Sequence, residues 1–182
     1  MPTNQQREEL KKTPLEPADH GLGRSRGGFC SKIHLVCDGN GNPLSAVVSA
    51  GHRHDSAFFE EVLNTVSIPQ DRGRPRTKPE VVIADKGYDG SPIRSYLRKR
   101  GVQAVIPPKE LKEGATRRKK GPRPVLDEKK YKERNVIERL IGHLKNCRRI
   151  ATRYEKYANS FLTMVNLAFI KFYLKKYFSD TP

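Results

Sequence analysis

The sequence predicts an α/β fold, and three observations predict it. Across Val81–Ile106 a short apolar run, an amphipathic stretch and a second apolar run follow one another with short links, the order of a βαβ unit. Across Lys32–Ser49 two strand patterns flank the turn-rich segment Asp38–Pro43, the pattern of a β-hairpin. Two helical patterns fill the last third. With 182 residues, the chain is long enough for one ordinary domain with a real core.

Residues 1–28 are polar and rich in Pro, Gly and charge, and read as a flexible leader. Residues 29–178 read as the folded domain and 179–182 as a short tail. Order is expected to begin with the alternating stretch Lys32–Cys37. After the turn, Leu44–Ser49 supplies the second hairpin strand. Asp55 or Ser56 can cap a helix running to about Val66. Pro69–Pro79 holds three prolines and four Lys/Arg and reads as an exposed basic connection.

Val81–Ala84 is a continuous apolar run, as expected of a strand buried on both faces. It ends at Asp85, and Lys86–Gly90 forms the turn beyond it, with Asp89 as the expected N-cap of the next helix. Ser91–Arg100 reads as that helix, with Pro92 early and Gly101 as its stop. Val102–Ile106 is a second buried strand. Glu110–Pro124 is basic and poor in apolar residues. One helix is expected from about Asp127 to Lys145, and a last one from about Ala158 to Tyr177.

The formal net charge is +16. Such an imbalance points to a polyanionic partner, of which nucleic acid is the usual one. From Lys109 to Arg149 there are 15 Lys/Arg against 6 Asp/Glu, so much of the excess surrounds one helix. A solvated basic surface is the blander reading. A small basic RNA binder would be expected to carry aromatic stacking motifs, and none is present. Cys30, Cys37 and Cys147 form no CxxC pair, so neither a disulfide framework nor a zinc site is suggested. His52 and His54 have the spacing of metal ligands, but no third ligand lies nearby in sequence. The apolar stretch Phe161–Phe178 is broken by Asn166, Lys171, Lys175 and Lys176, which favours a core or interface helix over a membrane span. With three scattered cysteines, a reducing cytosol is the expected setting.

Tyr131, Arg134, Glu138 and Lys145 stand at intervals of three, four and seven residues. On an unbroken helix turning about 100° per residue they share a stripe of about 60°. The stripe holds one carboxylate, two cations and a phenol. Val136, Ile137, Leu140, Ile141 and Leu144 make a separate apolar face. Asp85, at the end of a buried strand, occupies the place where open α/β sheets bind ligands; a turn aspartate capping Gly87 is the equal alternative on position alone. Glu138 beside Arg134 and Arg139 is ordinarily a surface ion-pair partner. Carboxylates from a strand end and a facing helix could together hold Mg²⁺, which favours one or two carboxylates plus phosphate and water. Two such ions stabilise an in-line phosphoryl displacement, here strand cleavage by water and strand joining by a 3′-hydroxyl. Arg134 and Lys145 would hold phosphates, and Tyr131 could pack on or hydrogen-bond the DNA backbone.

At these residues the chain closely resembles the DDE transposases of bacterial insertion elements, in the branch named for the fifth insertion sequence. The matching segments are GLGRSRGGFCSKIHLVCDGNGNPL, GHRHDS, VVIADKGYD and YKERNVIERLIGHLKNCRRIATRYEK, together extending from Gly21 to Lys156. The resemblance implies an RNase H-like mixed sheet flanked by helices, dependence on Mg²⁺ or Mn²⁺, and cutting and joining at terminal inverted repeats. It assigns Asp85 and Glu138 as the second and third catalytic, metal-holding acids. It assigns His34, Asp38 and Asp55 to scaffold. It implies double-stranded DNA as partner and a homo-oligomer in the DNA complex.

The match has one departure. The family's first catalytic Asp lies on a strand preceding the Lys32–Cys37 strand, in a motif resembling DGS or DST. The acids before Gly21 are Glu8, Glu9, Glu16 and Asp19, all in the polar leader. The expectation is therefore a sheet lacking its first strand, with an unpaired edge or interior. Members of this branch are often encoded in two overlapping frames, so an upstream-frame polypeptide is a possible partner; a decayed copy is the other origin. On this reading the chain is inactive alone. The alternative is a non-catalytic basic DNA-binding fragment that regulates the full-length enzyme.

Overall fold

A computed structural model describes residues 19–109 and 125–178. It is a mixed α/β arrangement built on two small sheets. Strands β1 (Gly23–Ser25), β2 (Gly28–Cys37) and β3 (Pro43–Ala50) form one antiparallel sheet. A short 3₁₀ turn at Asp55–Phe58 leads into α1 (Phe59–Asn64). Strands β4 (Val81–Ile83) and β5 (Gln103–Val105) form a separate parallel pair, linked by α2 (Ser91–Lys99). Four further helices follow: α3 (Glu128–Lys132), α4 (Asn135–Lys145), α5 (Arg148–Ala151) and α6 (Ala158–Phe178).

The hairpin forms where the alternation placed it. Along β3 every second residue is buried, beginning with Pro43 and ending with Ser49, as a sheet covered on one face requires. Asp38 Oδ1 accepts from the backbone N–H of Asn40 and of Asn42, both at 2.9 Å. With Gly41 at φ +81°, where a side chain would be strained, this closes the turn. Strand β1 lies inside the stretch read as a leader, paired with Gly28–Cys30. Composition missed it because two of its three residues are Gly and Ser and the tight hairpin it forms with Gly28–Cys30 is too short to show apolar alternation. Arg153 donates to the carbonyls of His20 and Glu155 and to Ser31 Oγ, and Ala158 N donates to Asp19 O at 3.1 Å. Residues 1–18, 110–124 and 179–182, with the readings placed on them, lie outside the described residues.

The βαβ unit is present and parallel, with Val82 opposite Ala104. Pro92 sits in the first turn of α2 and Gly101 follows it at φ +62°. The N-cap is Gly90, not Asp89, whose carboxylate instead takes Arg94 Nε at 2.5 Å. The helix expected from Asp55 to Val66 begins as a 3₁₀ turn whose N-cap residue, His54, makes no side-chain cap. Two apolar clusters make up the core. Phe59, Leu63, Ile93 and Leu97 gather Val82 and Ala84; Leu144, Ile150, Val165 and Phe169 gather Ile33 and Leu35. His34, between those two residues in sequence, points the other way and stacks on Phe58.

Two expectations need correction. The run Val81–Ile83, read as buried on both faces, is half-buried at all three positions. One edge of β4 meets β5, and the other meets no strand among the described residues. The helix expected from Asp127 to Lys145 is two helices. Between them Arg134 N donates to Tyr131 O, Val136 N to Glu133 O and Ile137 N to Arg134 O, at 3.0–3.2 Å. These i→i+3 bonds tighten the turn. Among the described residues the strands lie in two separate sheets.

α6 supplies Val165 and Phe169 to the second cluster and buries Phe161 one turn earlier. Its other side leaves Leu167, Ile170, Leu174 and Phe178 exposed. No helix among the described residues is long and apolar enough to cross a membrane.

Candidate functional site

A cavity of about 880 Å³ lies between the two sheets, and Asp85, Glu138 and Arg134 all line it. Asp85 follows directly on β4, with extended backbone at φ −75° and ψ 172°. Side chains alternate along an extended chain. Val82 and Ala84 belong to the first cluster, so Val81, Ile83 and Asp85 face the other side. α4 lines the same cavity with Val136, Ile137 and Ile141. Asp85 and Glu138 thus reach one cavity from separate elements.

Each carboxylate has one oxygen engaged. Asp85 Oδ1 accepts from Gly87 N at 2.7 Å, so the capping role read from the sequence is real. Glu138 Oε1 accepts from Arg134 Nη2 at 2.7 Å. Both residues are exposed, so a macromolecular substrate can reach them. Among the described residues no group of three or more His, Cys, Asp or Glu is arranged to hold a metal ion. An incomplete donor set of two carboxylates still fits Mg²⁺, which takes phosphate and water for its other ligands.

The rest of the stripe is distributed. Arg134 lies 5.7 Å over the Tyr131 ring, but the tight turn after Tyr131 displaces that phenol from the line expected on an unbroken helix. Neither Tyr131 nor Lys145 lines the cavity. Glu138 and Lys145 remain in register within α4, two turns apart, about 10 Å along the axis. Lys145 is exposed at the helix end, where a cation also complements the helix dipole.

Tyr88 and Asp55 also line the cavity. Burial, and then the carboxylates of Asp55 and Asp85, push the Tyr88 hydroxyl up to about 12. The phenol stays protonated at neutral pH close to two negative groups. Sequence reading treated Tyr88 as a turn residue; its position three residues after Asp85 was the available signal. Asp55 pairs with Lys32 Nζ at 2.9 Å. His34 Nε2 is 2.7 Å from Ser49 Oγ, and burial holds its pKa below the usual histidine range. His52 and His54 are exposed and, among the described residues, belong to no group of three or more His, Cys, Asp or Glu that could hold a metal ion.

The model of the Transposase DDE domain matches residues 2–170. The chain belongs to the transposase DDE domain family. It is 33% identical over 149 residues to a protein of Burkholderia cepacia named as a transposase for insertion sequence element IS402. That match covers 81% of this chain and 62% of the relative, so the chain spans under two thirds of that relative's length. It is 31% identical over 145 residues to a protein of Brucella ovis named as a transposase for insertion sequence element IS6501, covering 80% of this chain and 98% of the relative. No solved structure matches the chain.

Proposed function

We propose that this chain is the larger part of a transposase catalytic domain, with an RNase H-like arrangement completed by a further strand. Asp85 and Glu138 would hold Mg²⁺ or Mn²⁺ for cleavage and joining of DNA strands at the ends of an insertion element. The observation that carries the reading is that the two acids line one cavity, although 53 positions separate them in sequence. When bound, the metal supplies Lewis-acid stabilisation of the attacking and leaving oxygens.

The chain's own residues do the rest. Arg134, already in the cavity, can exchange Glu138 for a phosphate oxygen, because a guanidinium pairs with either. Lys145 sits far enough along α4 to meet a neighbouring phosphate. Tyr131 holds the Arg134 guanidinium by its ring face. Tyr88 can donate its hydroxyl proton in a hydrogen bond toward anionic oxygens beside Asp85. The excess of cations binds duplex DNA without regard to sequence.

The test is strand transfer on DNA carrying the element's ends, with the chain supplied alone and together with the completing segment. The reading expects no activity alone and metal-dependent activity together, lost in both Asp85→Asn and Glu138→Gln. Activity that survives both substitutions would refute the assigned roles. The second reading, a non-catalytic regulator, draws on the incomplete donor set. It expects duplex binding that weakens with salt, ignores Mg²⁺, and never leads to cleavage.

A further inference from the structure

Three exposed aromatic rings gather on one part of the surface, each near a cation. Phe29 is 77% exposed, Tyr154 56% and Tyr157 45%. Phe29 lies on β2 directly opposite Arg24 of β1, so the two side chains share one face of the ribbon. Arg26, also exposed, stands at the turn between the strands. Lys156 is exposed between the two tyrosines.

Arg153 brings the rings together. It donates to Ser31 Oγ on β2 and to the carbonyls of Glu155 and Lys156. Ser31 is two residues from Phe29, about 7 Å along the strand and on the same face. The stretch from Tyr154 to Tyr157 is therefore clasped beside the root of the β1–β2 hairpin. Its one acid, Glu155, is turned inward: the side chain is 7% exposed and pairs with Arg149 Nη2 at 2.9 Å. Asp19, an exposed acid whose carbonyl accepts from Ala158 N, sits at the margin.

The hairpin is braced so that it holds its ring out. Ser25 Oγ donates to Gly28 O at 3.0 Å, and Cys30 Sγ to Ser25 Oγ at 3.2 Å. The His52 ring lies against Gly23, where a Cβ would come within 2.1 Å of Nδ1. A large ring fixed in solvent adds nothing to the core, but it is preorganised for a partner. Bases in a duplex already stack on one another, so an open ring face takes bases that are unpaired. The surface also adjoins the cavity, because Lys32, next to Ser31, lines it. Phe29 stands three residues from Lys32, about 10 Å along the strand, or about three base-pair steps of duplex.

Resting on the proposed function, we infer that this surface binds unpaired DNA within a few nucleotides of the strand end held in the cavity. Bases stack on Phe29, Tyr154 and Tyr157, while Arg24, Arg26 and Lys156 take the phosphates.

The experiment uses the full chain and two labelled DNA duplexes of equal length, one fully paired and one splayed at one end by thymine–thymine mismatches. Anisotropy titrations are expected to show the splayed duplex bound about tenfold more tightly. Phe29→Leu keeps an apolar side chain without a ring face. Alone or with Tyr154→Ser, it is expected to remove most of that preference and leave affinity for the paired duplex unchanged. Phe29→Trp is expected to keep the preference. Arg24→Gln is expected to weaken both duplexes alike and to lower the salt dependence by about one phosphate contact. Equal binding of the two duplexes, or a preference that survives Phe29→Leu with Tyr154→Ser, would overturn the surface. Polyglutamate competing as well as splayed DNA would overturn it too, in favour of an acidic protein partner. A preference for the splayed end without any strand transfer in the assay above would sink the catalytic reading and leave the surface in place.

Discussion

Arg134 Nη2 donates to Glu138 Oε1 at 2.7 Å, one helical turn away across the junction between α3 and α4. The side chains are 31% and 55% exposed. An exposed i,i+4 pair of this kind is worth about 0.3–0.5 kcal/mol, so stability does not explain the carboxylate. Glu138→Gln is expected to change unfolding free energy by no more than about 0.5 kcal/mol while removing metal-dependent strand transfer by the completed enzyme. Denaturant titration and the strand-transfer assay read the two quantities separately.

Arg153 ties three distant segments together. It donates to His20 O and Ser31 Oγ, to the carbonyls of Glu155 and Lys156, and lies 5.2 Å over the Phe161 ring. Charge-assisted hydrogen bonds contribute about 1.5–3 kcal/mol each, though not additively. Arg153→Ala is expected to cost about 2–4 kcal/mol. Arg153→Lys should recover little of it, because an ammonium cannot reproduce the planar fork. Urea unfolding midpoints of the three proteins check this.

Burial lowers the His34 pKa in the folded chain, with Asp55 opposing the shift and Lys32 assisting it. The unfolded chain then binds the proton more readily. The stability that His34 contributes is present above its ordinary value of about 6.5 and is lost as pH falls below it. His34→Gln, which can keep a polar contact to Ser49 without titrating, should flatten that acid-side decline. Denaturation midpoints compared at neutral and mildly acidic pH test it.

Tyr88 reports on the acids. Its pKa of about 12 arises from burial first and then from Asp55 and Asp85. Asp85→Asn is expected to move it down toward the ordinary value of about 10. Mn²⁺ held at Asp85 should move it in the same direction. Spectrophotometric titration of tyrosinate, with Tyr88→Phe to identify the signal, measures both shifts.

Leu97 is fully buried among Phe59, Leu63 and Ile93. Leu97→Ala is expected to destabilise the chain by about 2–5 kcal/mol through lost contacts and the void left behind, measured by the same urea titration.

Local pattern made much of this legible. The hairpin, the βαβ unit and α6 each follow from alternation, a turn signal or a helical apolar stripe within a few residues, and α6 runs within one residue of the expected end. What the sequence concealed depends on distant partners. β1 has no apolar signature of its own, and the segment leading into it is fixed at His20 by Arg153. The break after Tyr131 comes from three tight backbone bonds within a stretch whose residues all tolerate a helix. Asp85 was visible as a strand-end acid, but its capping of Gly87 and its common cavity with Glu138 are separate facts, and only the first is local.

The clasp at Arg153 also bears on when the fold can close. Its contact with His20 spans 133 positions, and Lys176 reaches Asn42 Nζ-to-Oδ1 at 2.6 Å across 134. Both early segments are therefore held by residues that leave the ribosome more than 130 positions after them. Until those residues have cleared the exit tunnel, the nascent chain must carry its early strands without that cover. Long-range closure of this kind is slow, so these two clasps, rather than the turn of the hairpin, set the moment at which this part of the fold closes.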